Sequence, residues 1–132
     1  MISLRLLFLL ACAVLAQGCG DRRPRAERSL RKGEAEQLRH DAARLYKEFY
    51  SRHGRPDFNE VWYKDWPRSF QKLAPRHVGA YLQGFSIALK TGHQREEGLF
   101  VVPESMDIEP RAESGVSYRK IADGVYWYTF GE

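Results

Sequence analysis

The chain has 132 residues and a formal net charge of +4 at pH 7. Because domains usually hold on the order of 100 to 200 residues, this length leaves room for a single hydrophobic core. Hydrophobic residues make up 43% of the chain and charged residues 29%, which is the composition of an ordinary globular domain. A wholly disordered chain and a polytopic membrane protein are therefore excluded.

The N-terminus carries the pattern of an export signal. Arg5 supplies a positive charge, and residues 6–16 form an apolar run of eleven residues. That run is shorter than the roughly 18 to 20 residues that span a bilayer. Small residues then precede a cysteine in the order Leu15-Ala16-Gln17-Gly18-Cys19. We expect residues 1–18 to be a signal peptide that is removed on export.

This segment resembles the lipobox of bacterial lipoproteins, although Ala16 stands where Leu is most common. The resemblance implies that Cys19 receives a diacylglyceryl group, that cleavage occurs directly before it, and that its new amino group is acylated, for example with palmitate. Two or more acyl chains give stable anchoring. An ordinary signal peptide is the alternative, but Cys12 would leave with it, and Cys19 would remain as an unpaired thiol in an oxidising compartment.

The residue after the cysteine bears on localisation and partners. In this family, Gly20 in place of Asp implies the outer membrane, with the protein facing the periplasm. We therefore expect a membrane partner through lipidated Cys19 and an envelope protein or glycan as the second partner. Nucleic acid is excluded because the protein is exported.

Charge divides the mature chain into two parts. Between Asp21 and Lys32 there are six basic residues against two acidic ones, with no apolar stripe. Residues 19–33 are thus predicted to be a lipidated, flexible basic tether. From Pro56 to Glu132 there are nine basic and eleven acidic residues, so residues 34–132 form a single, mildly acidic domain.

Hydrophobic periodicity predicts a long helix followed by a sheet. Apolar residues at spacings of three and four between Ala35 and Phe49 predict an amphipathic helix over residues 34–53, which Gly54 ends. A short helix capped by Asp65 is predicted from Trp66 to Leu73.

From His77 onward the pattern is that of β-strands. Strands are predicted over 78–82, 85–89, 98–102, 118–122 and 125–130, with residues 91–97 and 104–115 as loops. Gln83-Gly84 and Asp123-Gly124 supply the turns of two hairpins. The predicted fold class is α+β, with an antiparallel sheet of about five strands against one long and one short helix.

Residues suited to catalysis or metal binding form no constellation in the sequence. The four histidines lack a ligand pair at helical spacing, and we predict no metal, cofactor or catalytic residue. His93, Glu96 and Glu97 form the nearest cluster, but consecutive residues of an extended segment point to opposite sides. A solvated loop is the favoured interpretation there.

Two other groups of residues suggest partner-binding surfaces. Trp62, Tyr63 and Trp66 could form a stacking platform, or they could pack against the sheet. The loop 104–113 has four carboxylates against Arg111, so it could face a basic partner or simply be solvated. Its carboxylates are Glu104, Asp107, Glu109 and Glu113.

These features predict a membrane-anchored envelope lipoprotein whose domain is a non-catalytic interaction or structural module. The alternative is an inhibitor or immunity protein that binds a basic exported enzyme through the acidic loop 104–113. A third hypothesis, an enzyme that uses His77 or His93, has only the presence of those residues in its favour.

Overall fold

A computed structural model describes residues 25–54 and 59–131 of the chain. The lipobox, Cys19 and the first part of the expected tether lie outside the described residues.

The domain is built on one antiparallel sheet of six strands in the order β1-β2-β3-β4-β6-β5. The strands are β1 (Asn59–Val61), β2 (His77–Tyr81), β3 (Gly84–Gly92), β4 (Arg95–Val101), β5 (Val116–Ala122) and β6 (Val125–Gly131). The predicted α+β class is confirmed. The sheet has six strands, one more than predicted. The additional strand is β1, which has only three residues and pairs with β2, for example Val61 with Val78.

Helices lie before and between the strands. They are α1 (Arg25–Arg28), α2 (Lys32–His53), a 3-10 turn (Tyr63–Asp65) and α3 (Arg68–Gln71). The predicted long helix is confirmed as α2, and it ends at Gly54, whose φ of 72° is disfavoured for other residues and whose N–H donates to the Tyr50 carbonyl.

The predicted helix from Trp66 to Leu73 is wrong in its start and its cap. Pro67 holds the preceding residue in an extended conformation, with φ −65° and ψ 127° at Trp66, so the helix starts only at Arg68. Asp65 lies in the 3-10 turn and pairs with Arg52 at 3.6 Å instead of capping α3.

The expected flexible tether is shorter than predicted, because its second half packs on the domain. Ala26 in α1 is buried in the core. The Glu27 carboxylate lies 3.5 Å from Lys90 Nζ, and its backbone carbonyl accepts a hydrogen bond from Arg119 at 3.1 Å. A single buried alanine among many charges leaves no apolar stripe, so sequence patterning missed this contact.

The predicted loop over 91–97 is also wrong. β3 runs to Gly92 and β4 begins at Arg95, which leaves only a two-residue turn at His93-Gln94. Thr91 pairs with Glu96 across the two strands. Polar side chains are compatible with the exposed end of a hairpin, so polarity alone was a poor sign of a loop.

The two faces of the sheet differ in what covers them. Helix α2 covers the helix face, where Val78, Ile87, Leu99 and Trp127 follow one another across the strands. The opposite side, called the open face below, has no helix on it among the described residues. A second cluster lies there, formed by Phe100, Val102, Tyr126 and Tyr128.

Arg39 of α2 attaches the helix to the start of the loop 102–115. Its guanidinium donates to the carbonyls of Val102 at 3.0 Å, Pro103 at 3.3 Å and Met106 at 3.2 Å. Its side chain is only 18% exposed and lies 3.5 Å from Asp123 in the β5–β6 turn. One side chain therefore fixes the position of this loop.

Replacing Arg39 by lysine is expected to lower the free energy of unfolding by about 1 to 3 kcal/mol, because one ammonium group cannot reach all three carbonyls. Urea denaturation measures this change. Arg44→Lys on the same helix is the control, since Arg44 is 61% exposed and should change stability by less than about 0.5 kcal/mol. Equal effects of the two substitutions would contradict this role of Arg39.

Candidate ligand-binding cleft

A cleft of about 740 Å³ lies on the open face of the sheet. Its volume is within the range of small-molecule sites, about 300 to 1,000 Å³. The β2–β3 turn at Leu82 and Gln83 borders one side, and residues 111–114 border another. Aromatic rings make up much of its wall: Tyr81, Phe100, Tyr118, Tyr128 and Phe130.

Small residues occupy two neighbouring cross-strand pairs near the cleft, Gly79 with Ser86 and Ala88 with Gly98. Of these four residues, only Ser86 lines the cleft.

The rings of the wall hold one another in place. The Phe100 ring lies 6.1 Å from that of Tyr81 and 5.5 Å from that of Tyr118, between centroids, and the second contact is edge to face. Tyr118 in turn meets Tyr126 edge to face at 6.5 Å. Because edge-to-face packing is favourable, the wall is set before any ligand arrives.

Glu96 forms the polar centre of the cleft. Its Oε2 lies 2.6 Å from His77 Nε2, and its Oε1 accepts a hydrogen bond from the Tyr128 hydroxyl at 2.6 Å. The Glu96 side chain is 23% exposed and that of His77 is 29% exposed. The three residues come from β2, β4 and β6, and they form one partly buried, hydrogen-bonded triad at the cleft.

The tyrosines of the cleft keep their protons at neutral pH. Burial raises the pKa of Tyr128 far above its ordinary value of 10, and the hydrogen bond to Glu96 raises it further. Burial also raises the pKa of Tyr81 and of Tyr118. These hydroxyls are therefore neutral groups that donate and accept hydrogen bonds.

The Ser86 hydroxyl lies at the centre of the open face and is only 3% exposed as a residue. The Ser86 hydroxyl lies close enough to Tyr81 and Tyr128 to lower the pKa of each. Burial raises each pKa by more, so both remain above the ordinary value. Ser86 Oγ nevertheless makes no hydrogen bond of normal geometry within the part of the chain that the structure describes. The hydroxyls of Ser86, Tyr81 and Tyr128 thus lie together as a group of neutral hydroxyls at this part of the open face.

Few formal charges line the cleft. Among the described residues they are the carboxylates of Glu96 and Glu113 and the guanidinium of Arg111, and both oxygens of Glu96 have partners in His77 and Tyr128. The cleft thus presents no strong charge of either sign.

The aromatic residues singled out in the sequence lie elsewhere. Trp62 is 74% exposed and Tyr63 is 70% exposed, and neither lines the cleft. Trp66 is partly buried, with its indole N–H donating to the Val61 carbonyl at 2.9 Å and its ring 5.0 Å from that of Tyr63. Of the three residues of the predicted platform, Trp66 packs against the core, whereas Trp62 and Tyr63 are exposed.

The carboxylates of the acidic loop do not form one surface. Glu104 lies 2.7 Å from His40 Nδ1 and is tied to α2. Asp107 and Glu109 are exposed, and among the described residues no ion pair holds either of them. Glu113 lines the cleft. Of the four carboxylates of this loop, only Glu113 therefore belongs to the cleft.

Sequence reasoning missed the centre of the site. The cluster proposed around Glu96 had the wrong histidine, since His93 is in the exposed hairpin turn and His77 makes the contact. Glu96 and Glu97 do lie on opposite faces, as expected for adjacent strand residues. A usable signal was the strand 125–130, which is apolar on both sides and has Tyr126 and Tyr128 on the face that no helix covers among the described residues.

Neither a metal-ligand cluster nor a similar known protein assigns a function to this cleft. Within residues 25–54 and 59–131, no group of three or more metal-ligating side chains is present, and no helix is long and apolar enough to cross a membrane. A scan against protein-family models and searches of curated proteins and of solved structures found no match to this chain. Function must therefore be inferred from the cleft itself.

Alkaline pH is expected to destabilise the fold through these tyrosines. Above pH 10 tyrosines of the unfolded chain ionise, whereas the raised pKa keeps Tyr128 protonated in the folded chain. The unfolded state then releases protons that the native state retains, so stability falls by up to about 1.4 kcal/mol per pH unit for this residue. Urea denaturation between pH 9 and 11 measures the slope. Tyr128→Phe should show a shallower slope, and an unchanged slope would contradict the assignment.

Proposed function

We propose that this protein is a lipid-anchored, non-catalytic binding module of the bacterial cell envelope, and that the cleft on the open face is its ligand site. The observation that supports a ligand site most strongly is the aromatic cleft of about 740 Å³ with the hydrogen-bonded triad of Glu96, His77 and Tyr128 in its lining. A gap left by imperfect packing would not combine preset rings with a partly exposed polar group.

The anchor is proposed from the lipobox alone, with Cys19 as the lipidated residue and the periplasmic side of the outer membrane as the location. Five residues separate Cys19 from α1 (Arg25–Arg28), and five residues reach at most about 18 Å when fully extended. A domain tethered this closely would meet ligands that belong to the envelope near the membrane.

Binding is favoured over catalysis because the polar groups lack the arrangement of a reaction centre. An activated serine needs a base within hydrogen-bonding distance, but Ser86 Oγ has no such partner in the described chain. His77 Nε2 is engaged with Glu96, whose other oxygen is engaged with Tyr128. The triad therefore acts as a fixed polar support for a ligand.

Blocking the cleft tests this proposal. Ser86→Leu places a larger side chain at its centre, and Ser117→Leu makes the same change at an exposed position of β5. Small-molecule and glycan fractions released from the envelope are added to each purified full-length protein, and the Tm is measured. We expect a fraction that raises the Tm of the original protein and of Ser117→Leu, but not that of Ser86→Leu.

Two results would contradict the proposal. One is that no envelope fraction raises the Tm of the unmodified protein. The other is that Ser86→Leu is stabilised as much as Ser117→Leu. Catalytic turnover of an envelope component, abolished by a single cleft substitution, would replace binding by catalysis.

A second candidate function is the inhibition of a basic exported enzyme through the loop 104–113. The observation in its favour is that Arg39 fixes the start of this loop while Asp107 and Glu109 remain exposed. A rigid acidic segment suits a basic partner. Lysozyme-like hydrolases at low salt provide the assay, and Asp107→Asn with Glu109→Gln should abolish the inhibition. Unchanged inhibition, or none by the original protein, would exclude it.

A further inference from the structure

We infer that the ligand of the cleft is a neutral ring that bears hydroxyl groups, namely a sugar unit of an envelope glycan. This inference rests on the proposed function, because it names the ligand class of the same cleft. Three properties of the cleft lead to it: its aromatic rings, its partly exposed polar groups and its few formal charges.

The rings favour a ligand with an apolar face. Five aromatic residues line the cleft, and the contacts of Phe100 with Tyr81 and Tyr118 fix the wall before binding. Aromatic faces carry partial negative charge, so they attract the slightly positive C–H groups that cover one side of a pyranose ring. A sugar supplies such a face together with a polar edge.

The polar centre excludes a purely apolar ligand such as an acyl chain. An acyl chain would remove water from the partly exposed Glu96–His77 pair and would offer it no hydrogen bond. This desolvation costs free energy. A sugar supplies hydroxyls that can hydrogen-bond to this pair and to the neutral hydroxyl of Tyr118.

The charges disfavour a strongly ionic ligand. Glu96 already has His77 and Tyr128 as partners, so it does not offer a free carboxylate to a cation. At the rim, Arg111 repels a cation and Glu113 repels an anion. A neutral ligand meets neither penalty.

The volume suggests more than one sugar unit. A cleft of about 740 Å³ is far larger than a small ion or a single water, whose share of liquid volume is about 30 Å³. It matches the sites that hold drug-sized ligands. A short stretch of a glycan chain is therefore the ligand that we expect.

The test uses defined trisaccharides as probes. Chitotriose, cellotriose and maltotriose are titrated separately into the purified full-length protein by isothermal calorimetry, with hexylammonium, hexanoate and hexanol as cationic, anionic and apolar comparisons. At least one trisaccharide should bind, with a Kd of about 1 mM or lower, and more tightly than all three comparisons.

Variants then locate the binding. Tyr118→Ala should weaken binding by about tenfold or more, whereas Tyr118→Phe keeps the ring and should retain most of it. Each variant is first shown by circular dichroism to remain folded, and Tyr118→Phe keeps the test valid if the alanine variant unfolds.

The outcomes separate this inference from the proposed function. Binding of hexanol, hexylammonium or hexanoate that Ser86→Leu abolishes, without trisaccharide binding, would overturn the sugar while the cleft remains a ligand site. Failure of every probe, together with no effect of the envelope fractions, would overturn both. Trisaccharide binding that Trp62→Ala abolishes and Tyr118→Ala leaves unchanged would move the sugar site to the exposed aromatic pair and overturn the inference.

Discussion

Replacing Gly98 by alanine is expected to lower the free energy of unfolding by about 3 kcal/mol or more. A Cβ atom at this position would lie 1.9 Å from the Ile87 carbonyl oxygen and 2.8 Å from its carbon. Both atoms belong to the backbone of the neighbouring strand β3, so no side-chain rotation can relieve the clash. Thermal and urea denaturation measure the loss.

Gly33→Ala is the matched control for this prediction. A Cβ at Gly33 meets nothing within 4 Å, and the residue lies in α2. Alanine favours the helix over glycine, so this variant should be as stable as the original protein or slightly more stable. If Gly98→Ala unfolds at the same urea concentration as Gly33→Ala, the close approach of β4 and β3 at Gly98 is contradicted.

Replacing Glu96 by alanine is expected to lower the free energy of unfolding by about 2 to 3 kcal/mol, and to abolish ligand binding in the cleft. The Tyr128 hydroxyl, which is buried with its residue only 4% exposed, would lose its acceptor. The His77 imidazole would lose its partner at the same time. Removing one partner of a buried hydrogen bond costs more than the bond itself contributes.

Three comparisons separate this effect from a general loss of a carboxylate. Glu60→Ala removes an exposed carboxylate from β1 and should change stability by less than about 0.5 kcal/mol. Glu96→Gln keeps an acceptor for Tyr128 and should retain much of the stability. In a Tyr128→Phe background the cost of Glu96→Ala should fall, since no hydroxyl is then left unpaired. An undiminished cost there would contradict the coupling between these two residues.

Local patterns in the sequence predicted the long helix, both hairpins and the turn at Asp123-Gly124. The turn predicted at Gln83-Gly84 lies one residue earlier, at Leu82-Gln83, because Gly84 already pairs with Tyr81 as the first residue of β3. The stripe from Ala35 to Leu45 is buried as its spacing predicted, and Gly54 ends the helix. Gly124 has a φ of 67°, as expected for the turn that it was predicted to form with Asp123. Each of these signals comes from residues within a few positions of one another, so no tertiary information was needed.

The elements that sequence patterning missed depend on tertiary contacts. Strand β1 has only three residues and exists because β2 offers an edge for pairing. Helix α1 is held by Ala26 in the core and by the contacts of Glu27 with other strands. Neither has a periodic pattern long enough to be recognised on its own.

The cleft was beyond sequence reasoning for a related reason. His77 and Glu96 are 19 residues apart, and Glu96 and Tyr128 are 32 apart, so only strand order and register bring them together. A shift of one residue in the register of β4 would turn Glu96 to the helix face. One feature of the sequence did indicate this face. The strand 125–130 is apolar on both sides, so Tyr126 and Tyr128 need a covering element that the predicted helices do not provide.

Amide hydrogen exchange tests the central claim most directly. The full-length protein is measured with and without the envelope fraction or trisaccharide that binds it. We predict slower exchange at the β2–β3 turn around Leu82 and Gln83 and across residues 111–114, which border the cleft from two sides. Slower exchange confined to the segment around Trp62 and Tyr63, with the borders of the cleft unchanged, would contradict the account.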